Sequence, residues 1–305
     1  MKKIVIFNVG GALSSYMQFG DKKIIIDLGS GNNFSPVNDF LIPLSEKIEF
    51  DKIKNKPKID QLILSHLDKD HISEYEILLE KFTPQYITCP NNNPNQEDEL
   101  KLNTNLLGEK NDIRDRILKD MSTRIPPLRS CLEEDMFLFY IKPGVCENNE
   151  DLVSGYANNI SLVLFIKFGD KTLLLPGDIS KEGMKYLIEN DNEFYNILSN
   201  EGIDFLVAPH HGLQTSFSED LFNAILGKKT RLNIISEKIR EENSDENRSD
   251  VDGRYYKSDY STGENDLYQY GIKTSGGHIV IDFSTDETNI SVCTEIKDVI
   301  NEFVE

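Results

Sequence analysis

The segments "KKIVIFNVGG", "SYMQFGDKKIIIDLGSG", "KIDQLILSH" and "QYITCPN" hold apolar residues in short runs bounded by Gly, Asn, Asp and Pro, the pattern of strands. In "FGDKK", Gly20 and Asp21 stand between two β-prone runs and predict a hairpin turn. The period changes in "EYEILLEKF", where Ile77, Leu78 and Phe82 fall on one side of a helix. A strand–loop–helix unit follows, and it places the intervening residues at a strand's carboxyl end, where α/β sheets usually build their sites.

From about 91 to 127 the chain turns polar. Helices are predicted in "EDELKLNTNLL" and "DIRDRILKDM", closed by Pro126 and Pro127, as a helical excursion. Strands return at "DMFLFYIKPG", "ISLVLFIKFGDKTLLLPGD" and "IDFLVAPHHG", and the middle segment repeats the hairpin signal at Phe168 to Lys171. Each hairpin precedes an aspartate, Asp27 after "IIID" and Asp178 in "LLLPGD", a hint of two related halves in one sandwich. The stretch from about 236 to 266 is charged and poor in aliphatics, which predicts a flexible loop. A strand in "GHIVIDF" and an acidic helix in "EIKDVINEFVE" finish the chain.

The 305 residues allow two ordinary domains or one large α/β unit, and we take 1–305 as a single domain. The chain has no run of eighteen apolar residues, and "MKKIVIFNVGG" lacks the features of a secretory leader, so a cytoplasmic protein without membrane contact is expected. Four scattered cysteines, with no C-x-x-C pair, suggest neither a disulfide framework nor a zinc ribbon. A formal charge of −19 argues against a broad surface that tracks nucleic-acid phosphates, while leaving room for a local basic groove.

The candidate chemistry begins with "LSHLDKDHIS", whose order is His66-x-Asp68-x-Asp70-His71. Alternation can turn His66 and Asp68 to one side and Asp70 and His71 to another, enough for two metal subsites. Imidazole nitrogen and carboxylate oxygen are the usual ligands of zinc and manganese, and such a crowd would otherwise repel or stay unsatisfied. Asp178 past one buried strand, and His210 and His211 past the next, supply more of the same. Of the five histidines in the chain, four lie in these two loops. The fifth, His278, opens a strand and reads equally as packing or as a group near the pocket.

These motifs resemble the metallo-β-lactamase superfamily, in the variant of the ComEC-type (competence protein) metallo-hydrolase domain. "LSHLDKDHI" matches "LSHPDADHI", "NNISLVLFIKFGDKTLLLPGD" matches "NNxSLVL…LLTGD", and "APHHGLQTS" matches "PHHGS". The opening through Asp27 and the closing "IKTSGGHIVI" resemble the family's first strand pair and last strand. Asn8, Ala12 and Leu213 stand where the family usually shows other residues.

The resemblance implies an αββα four-layer sandwich of two mixed β-sheets flanked by helices. It implies two divalent metal ions, zinc or manganese. His66, Asp68 and Asp178 would form one subsite; Asp70, His71, Asp178 and His210 or His211 would form the other, with Asp178 bridging. Asn158 and Asn159 occupy the place of a further family ligand and, with His278, are expected to contact substrate.

A metal pair about 3.5–4 Å apart can hold a hydroxide and clamp phosphoryl oxygens. We therefore expect a metal-dependent hydrolase, a phosphodiesterase or nuclease using a metal-bound hydroxide. In it Asp70 or Asp68 would orient the water, and whichever of His210 and His211 is free of metal would act as acid or phosphate donor, with His278 as the next candidate. The substrate would be a phosphodiester, in nucleic acid or a nucleotide. Lys228, Lys229 and Arg231, or Arg254 and Lys257 beside Tyr255, Tyr256 and Tyr260, are the compact basic groups that would grip it, against a reading as solubilising surface charge. The alternatives are a small ester, lactone or amide hydrolase and a non-catalytic, metal-stabilised regulatory or effector subunit working with a separate partner protein. The sequence leaves the oligomeric state open.

Overall fold

The computed structural model describes residues 1–31, 33–51, 53–91, 93, 97–122, 130–237, 251–264 and 268–304. The predicted strands form, with additions. They are β1 (Lys2–Ile6), β2 (Ser14–Phe19), β3 (Lys22–Leu28), β4 (Phe50–Asp51), β5 (Lys56–Ile63), β6 (Thr83–Thr88) and β7 (Met136–Phe139). The second half adds β8 (Val163–Phe168), β9 (Lys171–Leu175), β10 (Phe205–Val207), β11 (Leu232–Ile235), β12 (Gly271–Lys273), β13 (His278–Asp282) and β14 (Asn289–Cys293).

Two mixed sheets result. One runs β14-β13-β1-β2-β3-β5, with β4 and β6 both paired to β5; the other runs β12-β11-β10-β9-β8-β7. Strands β3, β5 and β6 are parallel, as are β9 to β12, and the hairpins β2–β3 and β8–β9 are antiparallel.

Side-chain alternation sorts the strands into layers. Ile4, Ile6, Ile24 and Ile26 meet Leu164, Ile166, Leu173 and Phe205 in one buried cluster between the sheets. The intervening Val5, Ile25, Phe165 and Leu174 belong to a second cluster with the helices. Helix Ile296–Val304 and the turn at Pro36–Leu41 cover the first sheet, where Tyr16 meets Phe40 and Phe303 at ring separations of 5.2 and 5.3 Å. On the other side Phe194, in helix Asn192–Glu201, packs on Phe139 of β7 at 4.9 Å.

Helix Asp112–Ser122 forms as predicted, burying Arg114, Ile117, Leu118 and Met121. The helix expected in "EDELKLNTNLL" does not. Only single turns form at Asp98–Leu100 and Thr104–Leu106, because Leu102 N–H donates to the carbonyl of Asn91 and Asn103 N–H to the Tyr156 hydroxyl. Pro126 and Pro127, and most of the charged loop, lie outside the described residues. Among the described residues no helix is long and apolar enough to cross a membrane.

Candidate metal centre

Strand β5 runs directly into the His/Asp loop, and its parallel register with β3 sets Ile63 beside Ile26 and so brings Ser65 to Asp27. The buried Asp27 carboxylate accepts from Ser65 N–H at 2.7 Å and from Ser65 Oγ at 2.8 Å. It also accepts from His71 Nδ1 at 2.9 Å. With the proton fixed on Nδ1, the Nε2 lone pair of His71 faces outward, 3.3 Å from Asp178 Oδ1. Sequence reasoning gave Asp27 no role. The available signal was a charge at the end of an apolar strand, which needs a partner when buried.

Asp178 follows β9 by a short loop, its N–H donating to Ser161 Oγ at 3.2 Å, and sits at the centre of the cluster. Its Oδ2 lies 3.7 Å from His210 Nε2, 3.8 Å from His211 Nε2 and 4.0 Å from His66 Nε2. Around it, His211 Nε2 is 3.4 Å and His71 Nε2 3.9 Å from Asp70 Oδ2, and His66 Nε2 is 3.8 Å from Asp68 Oδ2. Ligands each ~2.0–2.2 Å from one ion stand about 3–4 Å apart, so the spacing fits a shared cation. Asp70, His71, Asp178 and His211 each offer a ligand atom, all within 4.8 Å of one another.

A second observation points the same way. His66 Nε2, His71 Nε2 and both ring nitrogens of His211 are buried with no hydrogen-bond partner among the described residues. Each such orphan costs ~1–3 kcal/mol, and cations at the centre would satisfy the three Nε2 atoms together, with Nδ1 of His211 left over.

The charges show the crowding. Burial and the neighbouring His71 imidazole push the His66 pKa down. Burial also opposes charge on His71, but Asp178 and Asp27 outweigh it and raise its pKa well above the ordinary value. For Asp178, burial is overcome by His71, His66 and His211, which hold the carboxyl well below the usual range. For His211, burial is overcome by Asp70 and Asp178, and its pKa rises.

The His210–His211 turn corrects one expectation. An extended loop would point the two rings apart, yet both residues are left-handed, at φ 47° and 58°, and both Nε2 atoms approach Asp178. His211 is the more enclosed and joins the four-residue group. His210 is 30% exposed and has its Nδ1 3.4 Å from Ser216 Oγ.

Other expected contacts sit elsewhere. The buried Asn159 is no free substrate contact, because its Nδ2 donates to the carbonyl of Leu152 at 2.8 Å and its Oδ1 accepts from Ser180 Oγ at 2.7 Å. It clamps the loop that carries Asp178. Half-buried Asn158 accepts from Ser161 N–H through its carbonyl. His278 is buried between Phe7 and Phe34 and accepts from Asn8 N–H at its Nδ1, 3.2 Å away; burial lowers its pKa to about 4.

The basic groups of the later strands are engaged. Arg254 pairs with Asp252 and Glu219 above the Phe217 ring, Tyr255 is 1% exposed, and Arg231 pairs with Glu264. Lys228 and Lys229 donate to the carbonyls of Asn200 and Ser258. The reading as surface charge fits them better than a phosphate grip; Lys257 is exposed and has no side-chain hydrogen bond or ion pair among the described residues.

Two mixed sheets flanked by helices, with the candidate ligand residues gathered at strand ends, match the architecture expected from the sequence. The chain is similar to ComE operon protein 3 of Bacillus subtilis, 28% identical over 222 residues, which take in 68% of this chain and 24% of that protein. It therefore spans about a quarter of that relative's length. No family model matches the chain. Similar solved structures include the metallo-β-lactamase fold protein YhfI from Bacillus subtilis, 13% identical with a TM-score of 0.34, covering 68% of this chain and 71% of that one. Another is a diphosphatase of the PhnP family, 13% identical with a TM-score of 0.35, covering 78% and 87%.

Proposed function

We propose that the protein is a metal-dependent hydrolase of phosphodiesters, with nucleic acid or a nucleotide as substrate. The observation that carries this reading is the convergence of Asp70, His71, Asp178 and His211 from three separate strand-end loops, with buried imidazole nitrogens left unpartnered. Asp178 presents Oδ1 to His71 and Oδ2 to His66, His210 and His211, the arrangement suited to a carboxylate shared by two subsites. His66, Asp68 and Asp178 would hold one ion, zinc or manganese, and Asp70, His71, Asp178 and His211 the other. Divalent ions held there would activate a water and neutralise charge on a phosphoryl group.

The chain's own residues supply the rest. Asp27 fixes the tautomer and direction of His71, and the Asn159–Ser180 clamp holds the loop of Asp178. Asp70, 39% exposed at its side chain, would accept a proton from the attacking water. His210, the more open of its pair, would deliver a proton to the leaving oxygen.

The test is elemental analysis of the purified protein, followed by hydrolysis of bis-para-nitrophenyl phosphate with zinc or manganese, beside His66→Ala and Asp178→Asn. Bound metal and turnover that disappears in both variants is the expected result. Bound metal with turnover only of carboxylic esters would replace this reading with ester hydrolysis, and absence of bound metal would end it.

A further inference from the structure

Next to the metal centre lies a cleft of about 590 Å³. One wall is Asp68, Lys69 and Asp70; the other is the segment from Leu107 to Arg114. Its volume falls within the ~300–1,000 Å³ of small-ligand sites. Because Asp68 and Asp70 belong to both, whatever occupies this cleft touches the reacting group's surroundings directly.

The far wall is built to hold its shape. Buried Arg114 spends its guanidinium inside the loop, donating to the carbonyl of Leu107 at 2.5 Å and to that of Glu109 at 2.7 Å. Asn111 Oδ1 accepts from the N–H groups of Ile113 and Arg114 and fixes the start of helix Asp112–Ser122. Lys110 is thereby carried on a braced loop, opposite Lys69.

Both lysines are exposed, and neither has an ion pair or hydrogen bond among the described residues. They share this with Lys54, Lys119, Lys257 and Lys297, whereas Lys3, Lys22, Lys58, Lys142 and Lys167 pair with carboxylates in this chain of charge −19; only Lys69 and Lys110 of the unpaired set line this cleft. The basic groups near the later strands are largely spent on carboxylates and carbonyls as well. Glu109 and Asp112 line the same wall, so a duplex, with phosphates on every side, would meet repulsion here. A short strand that sets one phosphate between the two ammonium groups would not.

We infer that this cleft binds the phosphate adjacent to the scissile one in a short single-stranded oligonucleotide, with Lys110 and Lys69 as the specificity-determining residues. The inference rests on the phosphodiesterase reading and narrows its substrate class.

The test compares the thymidine dinucleotide pTpT with TpT, which share the scissile diester and differ by the terminal phosphate, in the manganese-loaded protein. The wild type should favour pTpT in kcat/KM by about tenfold, the value of one charge-assisted contact. Lys110→Glu and Lys69→Glu should each erase that preference, and Lys110→Arg should keep it. Raising salt should shrink the preference with a slope of about 0.7 per phosphate contacted. Equal kcat/KM for the two dinucleotides in the wild type, or a preference that survives both charge reversals, would overturn the inference. If neither is hydrolysed, calorimetric binding decides. Tighter binding of pTpT than TpT, lost in Lys110→Glu, keeps the cleft assignment while the hydrolase reading falls, and equal or absent binding overturns the assignment as well.

Discussion

Asp27 and Asp178 follow two hairpins with the same four-residue turn, one in each sheet, and they end in different chemical situations. Asp27 is held by three hydrogen-bond donors within 2.9 Å: Ser65 N–H, Ser65 Oγ and His71 Nδ1. Asp178 is surrounded by imidazole nitrogens at 3.3–4.0 Å, too far for most of them to bond it, several with no partner at all. A carboxylate saturated by donors positions a neighbour; one ringed by unpartnered imidazole nitrogens is suited to share a cation with them. Hydrogen-bond accounting separates the two where sequence position does not.

The largest expected effect breaks the comparison at its catalytic end. Asp178→Asn should abolish diester hydrolysis, a loss well beyond ~100-fold, and lower the bound metal found by elemental analysis.

Next comes His278, the buried histidine with no carboxylate against it among the described residues, set beside His71, which has three. Its folded pKa of about 4 lies below the ordinary 6.5, so between those values the unfolded chain binds more protons than the folded one. Stability is therefore complete above pH 6.5 and falls as the pH drops towards 4, by about 3 kcal/mol at most. Urea unfolding at pH 7 and pH 5 should show a shallower fall in His278→Gln than in the wild type.

Asp27→Asn should reduce metal affinity or activity by about 10–100-fold, the usual consequence of losing an orienting partner, with metal still bound at saturation. Competition with a chelator measures it. A loss as complete as that of Asp178→Asn would erase the distinction drawn between the two.

The smallest effect concerns the hairpins themselves. Gly20 and Gly169 are both left-handed, at φ 62° and 74°, with open space where a Cβ would go. Gly20→Ala and Gly169→Ala should each cost about 1–2 kcal/mol by denaturant titration, and equal costs would confirm that the turns are equivalent while the aspartates beyond them are not.

Much of this was legible beforehand. Period-two runs located β1, β2, β3, β5 and β8 to β10, and two loops holding four of five histidines marked the site. Strands β4, β11, β12 and β14 passed unpredicted: β4, β11 and β12 are two, four and three residues long, and the "NISVC" of β14 is only partly buried, so each lacks a sustained pattern. The Asp27–His71 bond is invisible to any local rule, since it depends on β3 and β5 lying parallel in one register. The backbone at His210–His211 was equally hidden. Neither residue is a glycine, and the turn is held by a distant acceptor, the carbonyl of Gly177, to which His210 N–H donates at 3.1 Å.

That turn also carries strain of its own. Two successive side-chain-bearing residues in the left-handed region store about 1–3 kcal/mol each, whereas the first loop is pinned through Asp27 and Ser65. The centre thus joins a hydrogen-bonded jaw to a strained one, and the strained jaw is already set before anything binds.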